Sequence, residues 1–142
     1  MDICVDFDGT CVTHEFPKVG KDIGAVPVLR KLIENGHNII LFTMRGNVTN
    51  NTGFSVEIPE VLNGNFLDDA VQWFHCHKIP LYGININPGQ HTWTNSPKAY
   101  GQLYIDDAAL GCPLKYNTLI SYRDFVDWTK VEQILIKRKL IK

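Results

Sequence analysis

Residues 37–43 read HNIILFT, and Ile39, Ile40, Leu41 and Phe42 stand side by side with no polar residue between them. A strand with one face in water alternates apolar and polar residues; a run that does not alternate expects both faces covered. That expectation calls for a parallel sheet crossed by connecting segments, and the rest of the chain supplies the parts. ICVDF (residues 3–7), LYGININ (81–87) and QLYIDD (102–107) are further strand-like runs. AVPVLRKLIENG (25–36) places Val28, Leu29, Leu32 and Ile33 on one helical face, with Gly36 as its stop. NFLDDAVQWFHCHKI (65–79) does the same with Phe66, Ala70, Trp73, Phe74 and His77, and ends before Pro80. YRDFVDWTKVEQILIKRKL (122–140) reads as a final amphipathic helix. Strands alternate with helices, so the predicted class is α/β with a parallel sheet.

A length of 142 residues suits one domain with one core, residues 1–142. The net charge of −1 offers no general attraction to nucleic acid or to an acidic membrane. No apolar run is long enough to span a bilayer. Asp2, Asp6 and Asp8 interrupt the N-terminal apolar stretch, unlike a signal peptide, so a cytoplasmic location is the expectation. Cys4, Cys11, Cys76 and Cys112 form no CxxC pair and are expected to stay thiols. The HCH triplet at residues 75–77 is a poor metal site, because neighbouring helical residues point about 100° apart.

In open α/β sheets, ligands bind beyond the carboxyl ends of the strands. Asp6 and Asp8 follow the first strand, Thr43, Met44 and Arg45 the second, and Asp106 and Asp107 the fourth, with Lys98 shortly before it. Polar groups far apart in the chain therefore converge on one edge. Several carboxylates in one cleft call for a hard cation, and Mg²⁺ suits them with oxygen ligands and room for a phosphate. Lysine and threonine are the residue types that hold phosphate oxygens, and Gly46 relaxes a turn whose N–H groups add donors. A carboxylate held opposite a phosphate can attack phosphorus; a second acid two residues on can protonate the leaving oxygen and then activate water.

VDFDGT (5–10), the Thr43 of LFTMR, Lys98 and the YIDD ending at Asp107 resemble, in order, the four motifs of the haloacid dehalogenase (HAD) superfamily. The resemblance spans residues 2 to 112. It implies a Rossmann-like three-layer domain and Mg²⁺-dependent phosphoryl transfer, most often phosphomonoester hydrolysis. By the same resemblance, Asp6 is the nucleophile and Asp8 the general acid/base, its backbone carbonyl also on the metal. Thr43 and Lys98 are phosphate ligands, and Asp106 with Asp107 metal ligands. Family members often carry a cap domain; residues 11–24 are too short for one, so no folded cap is expected. Many similar sequences place an arginine after the paired acids, where this chain has Ala108.

Residues 46–65 form a long polar loop carrying Phe54, Val56, Ile58, Val61 and Leu62. Its length suggests a lid whose apolar residues pack on the leaving group or on a second subunit, which leaves a homo-oligomer open. Arg45 reads as a loop cation and His14 as lying outside the cleft. Trp73, Phe74 and Trp128 read as core, and the basic KRKLIK end as complementing a helix dipole. The expected substrate is a phosphorylated small molecule or macromolecular end. The alternative is a catalytically silent HAD-fold module that binds phosphate or metal. A phospho-accepting receiver domain is disfavoured, because its acceptor belongs after the third strand and ININPG has no aspartate there.

Overall fold

The computed structural model describes residues 1–48 and 63–142. Most of the 46–65 loop, including Phe54, Val56, Ile58, Val61 and Leu62, lies outside the described residues. The elements run β1 (Asp2–Val5), α1 (Ala25–Glu34), β2 (Asn38–Leu41), β3 (Asn47–Val48), β4 (Gly64–Asn65), α2 (Phe66–Cys76), β5 (Leu81–Ile84), β6 (Leu103–Ile105), β7 (Leu114–Lys115), β8 (Phe125–Val126) and α3 (Trp128–Lys137). The fold is α/β and Rossmann-like: β5, β2, β1 and β6 form a parallel sheet in that order. Among the described residues no helix is long and apolar enough to cross a membrane.

The direction of the crossovers decides what covers each face. The chain steps from β1 to β2 to β5 in one direction, so right-handed connections put α1 and α2 on the same face. The core follows that rule. Ile3, Val5, Ile39, Leu41 and Ile105 share one buried cluster with Val28, Leu29 and Leu32 of α1, Ala70 and Phe74 of α2, and Trp128, Val131 and Leu135 of α3. From β5 the chain then reverses past β2 and β1 to reach β6, and a right-handed crossing in that direction lies over the opposite face. There Cys4 and Ile40 pack with Ala99, Phe42 and Tyr104.

Among the described residues this second layer contains no α-helix, only a short 3₁₀ turn at Gln90–Thr92. Without a helix its backbone groups need other partners. Two buried amides supply them. Gln90 donates to the carbonyls of Ser96 and Lys98 and accepts from the N–H groups of Asn87 and Tyr100. Asn87 donates to Asp2 and to the Tyr100 carbonyl. Ile39, Ile40 and Leu41 are fully buried, as their uninterrupted apolar run predicts.

Gly36 ends α1 with φ +80°, as its position suggested; its N–H reaches the Ile33 carbonyl and that of His37 reaches Leu32. The last helix differs from the sequence expectation. It starts at Trp128, not near Tyr122, because Phe125–Val126 pairs antiparallel with Leu114–Lys115. Asp127 then caps the helix, accepting from the Lys130 N–H at 3.2 Å. Asn47–Val48 pairs antiparallel with Gly64–Asn65. Asn47 also bonds both the side chain and the N–H of Asp68 in the first turn of α2.

Candidate active site

β1 pairs with β2 on one side and β6 on the other, so the strand order reverses beside β1. That is where a ligand crevice opens in such sheets. The Asp6 N–H continues the ladder to the Ile105 carbonyl at 3.0 Å, which sets Asp6 beside Asp106. One carboxylate oxygen each from Asp6, Asp106 and Asp107 lies within 4.8 Å of the others, and all three residues are half-buried. The gathering is electrostatically costly. Burial, and next the Asp106 charge, push the Asp6 carboxyl up to about 8, against the opposing bonds from the Phe7 N–H and Thr10. Hard oxygen donors crowded this way, with like charge raising Asp6, fit a divalent cation such as Mg²⁺.

Thr10 ties the acids together. Its hydroxyl lies 3.1 Å from Asp6 Oδ2 and 3.3 Å from Asp107 Oδ1, and accepts from the Asp107 N–H at 3.0 Å. His14 Nε2 sits 2.8 Å from Asp107 Oδ2, so this residue, read from sequence as outside the cleft, folds back onto the acids. Gly9 makes that possible. It has φ +79°, and a Cβ there would lie 1.9 Å from His14 Nε2 and 2.7 Å from Asp107 Oδ2.

Asp8 does not join the trio. Arg45 grips both its oxygens, Nε to Oδ2 at 2.7 Å and Nη2 to Oδ1 at 2.8 Å. The guanidinium also donates to the carbonyls of Pro17, Lys18 and Phe66, and lies 5.0 and 5.2 Å from the ring centroids of Phe7 and Phe16. Arg45 is thus a buried structural cation and not the loop cation the sequence suggested.

Thr43 stands beyond β2, its N–H donating to Asn85 Oδ1 and its Oγ1 accepting from the Arg45 N–H. Among the described residues the Thr43 hydroxyl proton has no acceptor. Lys98 is exposed, with its ammonium 5.3 Å from the centroid of the Tyr104 ring on the sheet face opposite the helices. Tyr104 precedes Asp106 by two residues, roughly 7 Å along an extended chain. Among the described residues Lys98 makes no salt bridge to the acids, so the structure does not bring it into their cluster.

Reasoning from sequence missed Thr10, His14 and Arg45 as parts of the site. Thr10 stood in plain view inside VDFDGT. The other two become visible only when the turn after β1 and the loop after β2 are folded together. In the HCH triplet, His77 Nδ1 bonds the Trp73 carbonyl and its ring packs on the Trp73 indole, while His75 and Cys76 are exposed.

No protein-family model matches the chain, and no curated protein matches it. Among solved structures, a conserved protein from Bacteroides thetaiotaomicron is 30% identical with a TM-score of 0.68, over 98% of this chain and 91% of that one. With identity at that level along nearly the whole of both chains, this chain belongs to the same family as the conserved Bacteroides protein.

Proposed function

We propose that this chain is a Mg²⁺-dependent phosphomonoesterase of the HAD type, working through an aspartyl-phosphate. The observation that carries the reading is the trio Asp6, Asp106 and Asp107, gathered within 4.8 Å at the point where the strand order reverses. Asp6, Asp106 and Asp107 would hold the metal, with Asp8 contributing its backbone carbonyl. When bound, Mg²⁺ supplies the positive charge that offsets the crowded carboxylates and the phosphate oxygens.

A carboxylate oxygen of Asp6 attacks phosphorus while the bond to the leaving oxygen breaks. Asp8 gives that oxygen a proton. It then takes one from water, which attacks phosphorus, frees inorganic phosphate and restores Asp6. Thr43 donates its hydroxyl proton to a phosphate oxygen, and Lys98 swings from Tyr104 to pair with another. His14 and Thr10 hold Asp107 in place. The substrate is a phosphorylated small molecule or macromolecular end. We place the activity in the cytoplasm, a reducing compartment that suits four free thiols.

One observation favours the second reading, a silent phosphate- or metal-binding module: both oxygens of Asp8 are engaged by Arg45. Catalysis requires one of them to come free. Hydrolysis of p-nitrophenyl phosphate separates the two readings. The wild type should turn over with Mg²⁺ and stop in EDTA. Asp6→Asn, folded by circular dichroism, should fall to background. Near-wild-type turnover by Asp6→Asn refutes this mechanism, and no turnover by the wild type on any ester favours the silent module.

A further inference from the structure

Asp107 belongs to two places at once. It is one of the three gathered acids, and it lines an open cleft of about 550 Å³ beside them. The other walls include Leu114, Tyr116, Tyr122, Arg123 and Asp124, all from the segment that carries the β7–β8 hairpin. A molecule with its phosphate at the acids has room for its remainder here, and the volume suits a small organic group.

The lining has a distinct chemistry. Tyr116 and Tyr122 are 58% and 74% exposed, and among the described residues neither hydroxyl has a protein hydrogen-bond partner. The core does not use these rings. Arg123 is exposed and has no carboxylate within salt-bridge distance among the described residues. Two open phenol faces and a free planar cation are the groups that take a flat ring by stacking.

The hairpin is also fixed relative to the acids. The Val126 N–H donates to the Gly9 carbonyl at 2.9 Å, and the Trp128 indole N–H to the Thr10 carbonyl at 2.6 Å. Both acceptors lie in the turn that carries Asp6 and Asp8. Lys115 pairs with Phe125, so Tyr116 leaves the hairpin neck opposite Asp124, with Tyr122 two residues further on. The neck from which Tyr116 and Tyr122 extend is thereby tied to the turn that carries Asp6.

We propose that the Tyr116–Tyr122 cleft is a leaving-group subsite for phosphomonoesters that carry a planar ring, a nucleobase or an aryl group. This rests on the phosphomonoesterase reading, and the test keeps the two apart. Turnover of adenosine 5′-monophosphate, phenyl phosphate and ribose 5-phosphate is compared with Mg²⁺ present. At least one ring-bearing ester should exceed ribose 5-phosphate by tenfold or more in kcat/KM, and which one does identifies the source of the ring. Tyr116→Ala/Tyr122→Ala should erase that ratio mainly through KM, while Tyr116→Phe/Tyr122→Phe keeps it. Equal use of all three esters, or a ratio unmoved by the alanine pair, overturns the proposal. If no ester turns over, the phosphomonoesterase reading fails, and equilibrium dialysis of the two ring-bearing esters decides the subsite alone. Binding weakened tenfold by the alanine pair supports it; no binding, or binding unchanged by the pair, overturns it.

Discussion

Replacing Arg45 by methionine tests the internal logic of the site, because one guanidinium joins five acceptors. Its side chain is 1% exposed and that of its partner Asp8 is 19% exposed. Methionine retains much of the packing on Phe7 and Phe16 but leaves the Asp8 carboxylate and the carbonyls of Pro17, Lys18 and Phe66 without their donor. Removing one member of a buried ion pair costs about 3–5 kcal/mol. Asp8 has some access to water, so the lower part of that range applies, and the stripped carbonyls add to it. The expected loss for Arg45→Met is about 3–4 kcal/mol, which a typical domain of about 5–15 kcal/mol survives. Urea unfolding should show it as a midpoint lowered by roughly 2 M, with m in the range of about 1–3 kcal/mol/M. Arg45→Lys keeps the charge but not the planar fork, and should lose about half as much. In a double-mutant cycle with Asp8→Asn, the two residues should couple by more than about 1 kcal/mol. A loss below about 1 kcal/mol for Arg45→Met, or a cycle without coupling, refutes the account of Asp8 as a carboxylate held by Arg45.

Two further predictions follow from the acids and the turn between them. The metal-free Asp6 carboxyl is raised to about 8 in the fold, far above its ordinary 3.8, so the folded state holds a proton that the unfolded chain releases. Metal-free stability should therefore fall as pH rises from about 4 to about 8 and then level off; Asp6→Asn should flatten this slope, and saturating Mg²⁺ should reverse it in thermal melts. Gly9→Ala, which places a methyl group against His14 at φ +79°, should displace His14 from Asp107 and cost about 1–3 kcal/mol in urea unfolding; an unchanged midpoint would show that the turn has slack.

The sheet was legible because its signal is local. Ile39 to Leu41 declared a strand buried on both faces, and Gly36 marked the end of α1. The acids were legible because three of them follow strand ends directly, where topology alone predicts that they meet. Arg45 and His14 were not, since their partners belong to remote segments without periodicity. The start of α3 was misread for a related reason. Residues 122–127 carry apolar residues at a spacing that a helix also accepts, and only the pairing of Phe125–Val126 with Leu114–Lys115 decides against it. That misreading would have buried Tyr122 on a helix, when it stands open in a cleft beside Asp107.

The turn after β1 is held from three directions, and this bears on how the acids are kept ready. From β6, the Ile105 carbonyl receives the Asp6 N–H. From the loop beyond β2, the Arg45 fork holds Asp8. From the start of α3, Trp128 and Val126 donate to Thr10 and Gly9. Each tie comes from a different part of the chain, so no single one of them sets the geometry alone. Burial and the Asp106 charge raise the Asp6 carboxyl, and a flexible turn would relieve this by letting Asp6 move away from Asp106. Here the ties to Ile105, Arg45, Val126 and Trp128 oppose that movement, through bonds to residues outside the trio. On the proposed reading of the trio as a cation site, this positioning lowers the reorganisation that binding would demand. The bonds from Val126 and Trp128 also tie the base of the β7–β8 hairpin, from which Tyr116 and Tyr122 extend, to the turn that carries Asp6.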